Sequence, residues 1–363
     1  MDLKSENDLH GGRVYEAARR WGVDPKEIVD FSANINPFGP PRGVYIEVAN
    51  SLDSIHSYPD ISELVDSIAR KLDVDRNCIT IGNGSTALVF AAARTLKPEK
   101  PLIFEPAFAE YRRALHSISA NVKTMRLSAR SGFQPDWDDL VRARWSRFYD
   151  SVIINNPHNP SGELVKAEGL IGFASELKQS GISLIIDEAF IDYVPEASTL
   201  PRILEFDNTI VLRSLTKFYS MPGLRVGYAV SHPKLAARIQ EQIEEWPVSS
   251  LAIRAAIKAL SDPEFDDLTR KQNQANRSEF INALNKLPGV LAYASSANFV
   301  LVRLRNRDCA RLAEWLEPHR ILIRLCNSFE GLGPEYMRLA VLNRSNNLRL
   351  IKLIEEWLLL GSA

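Results

Sequence analysis

In the stretch Ser214 to Tyr228, SLTKFYSMPGLRVGY, Lys217 follows the apolar run TIVL (209–212), and Arg225 stands eight residues beyond it. A lysine after a strand is ordinarily a solvated loop residue. Two other groups occupy comparable places: Asp187 ends the run SLIID, and Asn159 lies in the loop NNPHNPSG after the run SVIIN. In a parallel sheet the strand ends open on one crevice, so an amine, a carboxylate and an amide can meet there. Upstream, IGNGSTA follows an apolar run and opens a helix. Free backbone N–H groups and the positive end of the helix dipole suit a phosphate at such a place, and Gly82 and Gly84 let it approach closely.

An amine beside a phosphate site, with a carboxylate to pair with a ring nitrogen, is what pyridoxal phosphate chemistry requires. The lysine forms the Schiff base. The aspartate keeps the pyridine nitrogen protonated, which lets the ring accept the electrons left when a bond to the substrate α-carbon breaks. The glycine loop also satisfies the dinucleotide fingerprint G-x-G-x-x-A, with Glu105 near the place of a ribose-binding acid, so a nicotinamide dehydrogenase is a rival. A dehydrogenase has no need of a lysine flanked by hydroxyls and an arginine, nor of NNPHNPSG.

These groups must be carried by ordered elements. Apolar runs alternate with amphipathic ones: CITIGNG then STALVFAAARTL, PLIFEP then FAEYRRALHSI, SVIINNP then AEGLIGFASELKQSG. Strands separated by helices cannot pair as hairpins, so an α/β domain with a mainly parallel central sheet is expected, with ISLIIDEAF and TIVLRSL as buried strands. After about Pro247 the pattern changes to a long polar helix, the run NFVLVRL, a helix, ILIRL, YMRLAVL and a closing helix, which reads as a smaller α+β domain. The expected organisation is an N-terminal arm over 1–45, interrupted by Pro37, Pro40 and Pro41 and packing with the small domain, a large domain over 46–247 and a small domain over 248–363.

Composition narrows the classes. The chain has 363 residues, 45% apolar and 25% charged, with 44 basic against 45 acidic side chains, and this balance offers no footprint for a nucleic-acid partner. Cys78, Cys309 and Cys326 form no CxxC pair, so neither a disulfide framework nor a metal site is expected. The polar start MDLKSENDLHGG and the lack of a long apolar run predict no membrane partner and a cytoplasmic protein.

NNPHNPSG, DEAFIDY and SLTKFYSMPGLRVGY together resemble the signature blocks of fold-type I pyridoxal phosphate enzymes, in the branch that holds histidinol-phosphate aminotransferase, over nearly the whole chain. The resemblance implies pyridoxal 5'-phosphate as cofactor, Lys217 as the Schiff-base lysine, Asp187 as pyridinium partner and Asn159 as donor to the ring hydroxyl. It implies a phosphate cup from Gly84, Ser85, Thr86, Ser214 and Arg225, with Phe108 stacked on the ring. Tyr58 matches a tyrosine that reaches the neighbouring cofactor phosphate, which implies a homodimer. Many aminotransferases of the branch carry tyrosine where DEAF has Phe190, and phenylalanine cannot make that hydrogen bond.

HGG followed by EAA, DFSANINPFGPP, FAEYRRAL, DEAFID and ILIRLCNSFEGL resemble most a branch that decarboxylates L-threonine O-3-phosphate in cobalamin biosynthesis. The substrate would then be a small phosphorylated amino acid. Arg338 matches the arginine that grips the α-carboxylate, and Arg324 suits the substrate phosphate, since a planar guanidinium binds either anion bidentately. By resemblance His10, Gly11 and Asn34 of the arm also line the substrate pocket, beside Asn159. Local motifs do not separate decarboxylation from transamination, and a non-catalytic member of the fold is a further alternative. Nor do they separate threonine phosphate from serine phosphate.

Overall fold

The computed structural model describes residues 10–135 and 148–360, so the polar first nine residues of the expected arm lie outside the described residues. The arm carries α1 (Val14–Trp21) and the short β1 (Val29–Asp30). Then follow α2 (Arg42–Asn50), α3 (Ser62–Leu72), β2 (Ile79–Asn83), α4 (Gly84–Leu96), β3 (Pro101–Glu105), α5 (Ala109–Ser117) and β4 (Lys123–Arg126). Beyond the undescribed stretch lie β5 (Ser151–Asn155), α6 (Ala167–Gln179), β6 (Ser183–Asp187), β7 (Thr209–Ser214), β8 (Val226–Ser231) and α7 (Pro233–Gln240).

Strands β2 to β8 form one seven-stranded sheet in the order β2-β8-β7-β6-β5-β3-β4. All are parallel except β8, which runs against both β2 and β7. Strands such as β5 and β7 are buried at every position, because apolar clusters cover both faces of the sheet. One cluster packs Leu170, Phe173 and Leu177 of α6 against Val152 and Leu184, and the other packs Leu88, Ala91 and Ala92 of α4 against Ile103, Ile185 and Leu212.

The chain continues through α8 (Ser250–Leu260), α9 (Pro263–Leu284), β9 (Val290–Ala292), β10 (Phe299–Leu304), α10 (Cys309–Leu316), β11 (Ile321–Leu322), β12 (Arg324–Leu325), β13 (Tyr336–Ala340) and α11 (Arg344–Leu360). A small antiparallel sheet orders these strands β12-β13-β10-β9. Helix α8 turns Ala252, Ala255, Ala256 and Ala259 into the same apolar cluster as Val44 of α2 and Leu64 and Ile68 of α3. Helix α9 starts cleanly, with Asp262 capping the Phe265 N–H and Pro263 in its first turn.

Two features differ from the sequence expectation. ILIRL is not one strand: Ile321 and Leu322 pair in parallel with Val29 and Asp30 of the arm, whereas Arg324 and Leu325 pair with Arg338 and Met337. The arm thus takes half of the run for its own ladder. Strand β8, which the apolar pattern did not single out, pairs along its whole length, so the chain turns straight back after the Lys217 loop.

The topology brings one end of each strand to a common edge. Register sets Asn155 beside Asp187, Asp187 beside Leu212, and Ser214 beside Gly227 at the start of β8. No described helix is long and apolar enough to cross a membrane.

Candidate active site

A cleft of ≈ 460 Å³ opens on that edge, closed on one side by the arm and on another by the small sheet. Lys217, Asp187, Asn159, Ser214, Arg225, Ser85, Thr86 and Phe108 line it, with His10, Gly11 and Asn34 from the arm and Arg324 and Arg338 from the small sheet. Residues more than 300 positions apart thus share one cavity. Gly84 sits immediately behind this wall.

The anion end is built on the start of α4, where no side-chain cap covers the first turn, leaving N–H groups for a ligand. Gly84 has φ 73°, and a Cβ there would lie 2.6 Å from Arg225 Nη2, so only glycine lets the guanidinium lie against the helix start. Arg225 itself is left-handed at φ 56°. Gly227 is equally constrained, since a Cβ would meet the Ser85 backbone nitrogen at 2.5 Å. Ser214 Oγ and Thr216 Oγ1 lie 2.8 Å apart beside this end, so Thr216 joins the hydroxyls that the sequence singled out.

Asp187 is buried, yet its carboxylate accepts two hydrogen bonds: from Tyr111 Oη to Oδ2 at 2.5 Å and from the Ala189 N–H to Oδ1 at 2.9 Å. Burial pushes its pKa up, and these two donors oppose the shift. Asn155 Nδ2 donates to the Asp187 carbonyl at 2.8 Å, and Asn155 Oδ1 accepts the Asn159 N–H at 2.7 Å, which ties the end of β6 to the NNPHNPSG loop. Tyr111 and Asn155 were not singled out in the sequence. Tyr111 stands one residue past Glu110 in FAEYRRAL, and only the crossing of α5 over the sheet edge brings its hydroxyl to Asp187.

The Lys217 amine is pushed down to about 8, first by burial and then by the charges of Arg338 and Arg225, with Asp187 opposing. A lysine so placed exchanges its proton near neutral pH. Arg338 is also buried; it donates from Nη1 to Asn159 Oδ1 at 2.6 Å and from Nη2 to the Ser32 carbonyl at 3.1 Å. Its Nε has no partner among the described residues, and burial pushes its pKa down to about 10. Arg324, on the neighbouring strand, donates to Ser328 Oγ at 2.6 Å and lies over the Phe329 ring.

At the mouth of the cleft His10 Nε2 lies 2.7 Å from Glu110 Oε1, and Arg113 Nη1 donates to the same oxygen at 2.7 Å. The His10 bond is the main cause holding Glu110 below the usual carboxylate range, against burial. Phe190 is buried edge-on to Phe299 at 5.0 Å and, as expected, offers the cleft no hydroxyl.

Two residues lie apart. Glu105 pairs with Arg112 Nη2 at 2.8 Å and is not part of the cleft lining, so the acid that favoured a dinucleotide is occupied elsewhere. Tyr58 is 76% exposed and stacks on Trp246 at 4.0 Å, outside the cleft of its own chain.

An uncapped helix start with an arginine against it, a wall of hydroxyls, an aromatic side chain, and a hydrogen-bonded aspartate facing a low-pKa lysine fit a flat ring with a phosphate tail. The unpartnered Arg338 Nε, beside Arg324, fits a second anion.

The family pattern described as aminotransferase class I and II matches residues 26–354. The chain is 37% identical, over 95% of its length and 95% of the relative, to the threonine-phosphate decarboxylase of Salmonella typhimurium. Among solved structures it resembles the L-threonine-O-3-phosphate decarboxylase of Porphyromonas gingivalis, with TM-score 0.83 and 29% identity over 91% of this chain and 99% of that one. It resembles the histidinol-phosphate aminotransferase of Clostridium acetobutylicum similarly, with TM-score 0.84 and 30% identity over 91% and 98%.

Proposed function

This chain belongs to the aminotransferase class I and II family, and from that premise we propose that it is a pyridoxal 5'-phosphate-dependent carboxy-lyase acting on L-threonine O-3-phosphate. Its product would be (R)-1-amino-2-propanol O-2-phosphate, for cobalamin assembly. The observation that carries the reading is a single cleft with a low-pKa lysine facing a buried aspartate, a phosphate cup, and two further buried arginines for a substrate with two anionic groups.

When bound, the cofactor supplies an electron sink for the pair released by the breaking bond at the substrate α-carbon. Lys217 supplies the amine that holds it, Asp187 the charge for its ring nitrogen, and Asn159 an amide whose Oδ1 is engaged by Arg338, leaving NH2 to donate to a ring oxygen. Ser85, Thr86, Ser214 and Arg225 with the Gly84 turn would hold its phosphate, and Phe108 would cover the ring. Arg338 grips the α-carboxylate, while Arg324, His10, Gly11 and Asn34 receive the substrate phosphate. Arg338, held by Asn159 and Ser32, would fix the direction of the carboxylate and so would favour CO2 loss over proton loss, each ~1.4 kcal/mol of that preference being a tenfold rate ratio. Lys217, whose amine is pushed down to about 8, or a nearby acid would then return a proton to the α-carbon.

The chain also exposes Tyr45, Ile46, Leu52 and Ile55, shortly before Tyr58 in sequence, which supports a homodimer with Tyr58 serving the partner's cofactor phosphate. Three free, buried cysteines agree with a cytoplasmic setting.

The test is release of labelled CO2 from carboxyl-labelled L-threonine O-3-phosphate with no keto acid added. Turnover is expected, and Lys217→Ala is expected to abolish it. A yellow, cofactor-loaded wild type that releases none, yet transfers an amino group from histidinol phosphate to 2-oxoglutarate, would establish the aminotransferase instead.

A further inference from the structure

Glu110 is an acid in a cleft that must receive anions. Its side chain is 5% exposed, it lies on α5 among the cleft residues, and its Oε1 takes both the His10 and the Arg113 hydrogen bonds at 2.7 Å. A carboxylate only accepts here, so Nε2 of His10 must carry the proton that it shares with Glu110. Among the described residues this leaves Nδ1 for a ligand, and toward a phosphate, which accepts, Nδ1 must carry a proton as well, so the ring would bind it as the imidazolium paired with Glu110. Arg113, on the same oxygen, offsets the negative charge that would otherwise repel a phosphate.

The backbone of this corner is fixed as tightly as the ring. A Cβ at Gly11 would lie 2.0 Å from the Ser32 carbonyl oxygen, so the chain passes directly against Ser32, and the Gly12 N–H donates to Ser32 Oγ at 2.8 Å. Ser32 is held in turn by Asp30 Oδ1, which accepts from its N–H at 2.7 Å and from its hydroxyl at 2.6 Å. The His10 ring completes the corner 5.6 Å from Phe108. Residues 11 and 12 set where His10 starts, and Glu110 sets where its ring ends.

We propose that Glu110 is a positioning residue of the substrate-phosphate subsite, acting through His10, whose ring it holds so that Nδ1 faces the phosphate. The proposal rests on the reading that His10 meets the substrate phosphate. A hydrogen bond involving a charged partner carries enough free energy that losing the orientation weakens phosphate binding about tenfold or more.

The experiment uses the cofactor-loaded enzyme and follows its absorption band while L-threonine O-3-phosphate or L-histidinol phosphate is added, alongside kcat. For Glu110→Ala the dissociation constant of the phosphorylated ligand is expected to rise about tenfold or more while kcat stays within about threefold. Glu110→Gln, which keeps an acceptor and the side-chain shape, is expected to recover part of the loss, and it reads the effect if the alanine variant does not fold. Adding Glu110→Ala to His10→Ala is expected to cost nothing more, because both changes remove one interaction. Unchanged or tighter binding, a kcat loss equal to the binding loss, or an additive double variant would overturn the proposal. A wild type that binds and converts only histidinol phosphate would sink the decarboxylase reading, and the Glu110 comparison would then be made on that ligand.

Discussion

Asp187 shows how a buried charge is kept ready for a ligand. Taken out of water it would tend to hold its proton, and the Tyr111 hydroxyl and the Ala189 N–H are the two donors that favour the carboxylate. Tyr111→Phe removes the shorter of these bonds without changing the packing of the ring. Steady-state kinetics are expected to show kcat down about ten- to a hundredfold, from a charge-assisted hydrogen bond worth ~1.5–3 kcal/mol, with substrate KM little changed. Lys217 and Asp187 were legible in the sequence because Asp187 ends a recognisable run and Lys217 follows closely on another. Tyr111, Asn155, Thr216 and Glu110 were not, because their signal is a distance to a residue elsewhere in the chain.

Single elements deliver several of these groups at once. Helix α5 and its N-cap present Phe108, Glu110 and Tyr111 to the cleft, and the loop after β5 presents Asn159. That loop is clasped by His158, whose Nε2 donates to the Pro106 carbonyl at 2.9 Å while Nδ1 lies 2.7 Å from Ser161 Oγ. A carbonyl only accepts, so the ring is held neutral with the proton on Nε2, and burial pushes its pKa down to about 4. The folded value lies below the ordinary one of 6.5, so the unfolded chain takes up the proton first as pH falls. Stability from this group is complete above about pH 6.5 and is lost as pH falls through about 4, by roughly 3 kcal/mol in all. Denaturant unfolding of wild type and His158→Gln over that range should therefore converge toward acid; parallel curves would refute the assignment. The strands of the large sheet were legible as unbroken apolar runs. Strand β8 and the division of ILIRL were not, since antiparallel return and pairing with the arm depend on which edge is open when the chain arrives.

For the whole molecule, the proposed homodimer makes the exposed Tyr58–Trp246 stack the face at which a second chain would complete the site. Sedimentation should give a particle of two chains, and Tyr58→Ala should weaken cofactor binding about tenfold while leaving that assembly intact. A monomer with full cofactor affinity would remove Tyr58 from the site. The sequence by itself determined the α/β class and, through its signature blocks, the cofactor chemistry, and it singled out the residues proposed to carry it, because strand-end placement, glycine loops and family blocks are local patterns written in consecutive letters. Tertiary structure alone decided how the arm, the sheet edge and the small sheet meet. It set Arg338 against Asn159 and Ser32, and His10 against Glu110, because contacts across 100 to 306 residues arise from packing and leave no local trace.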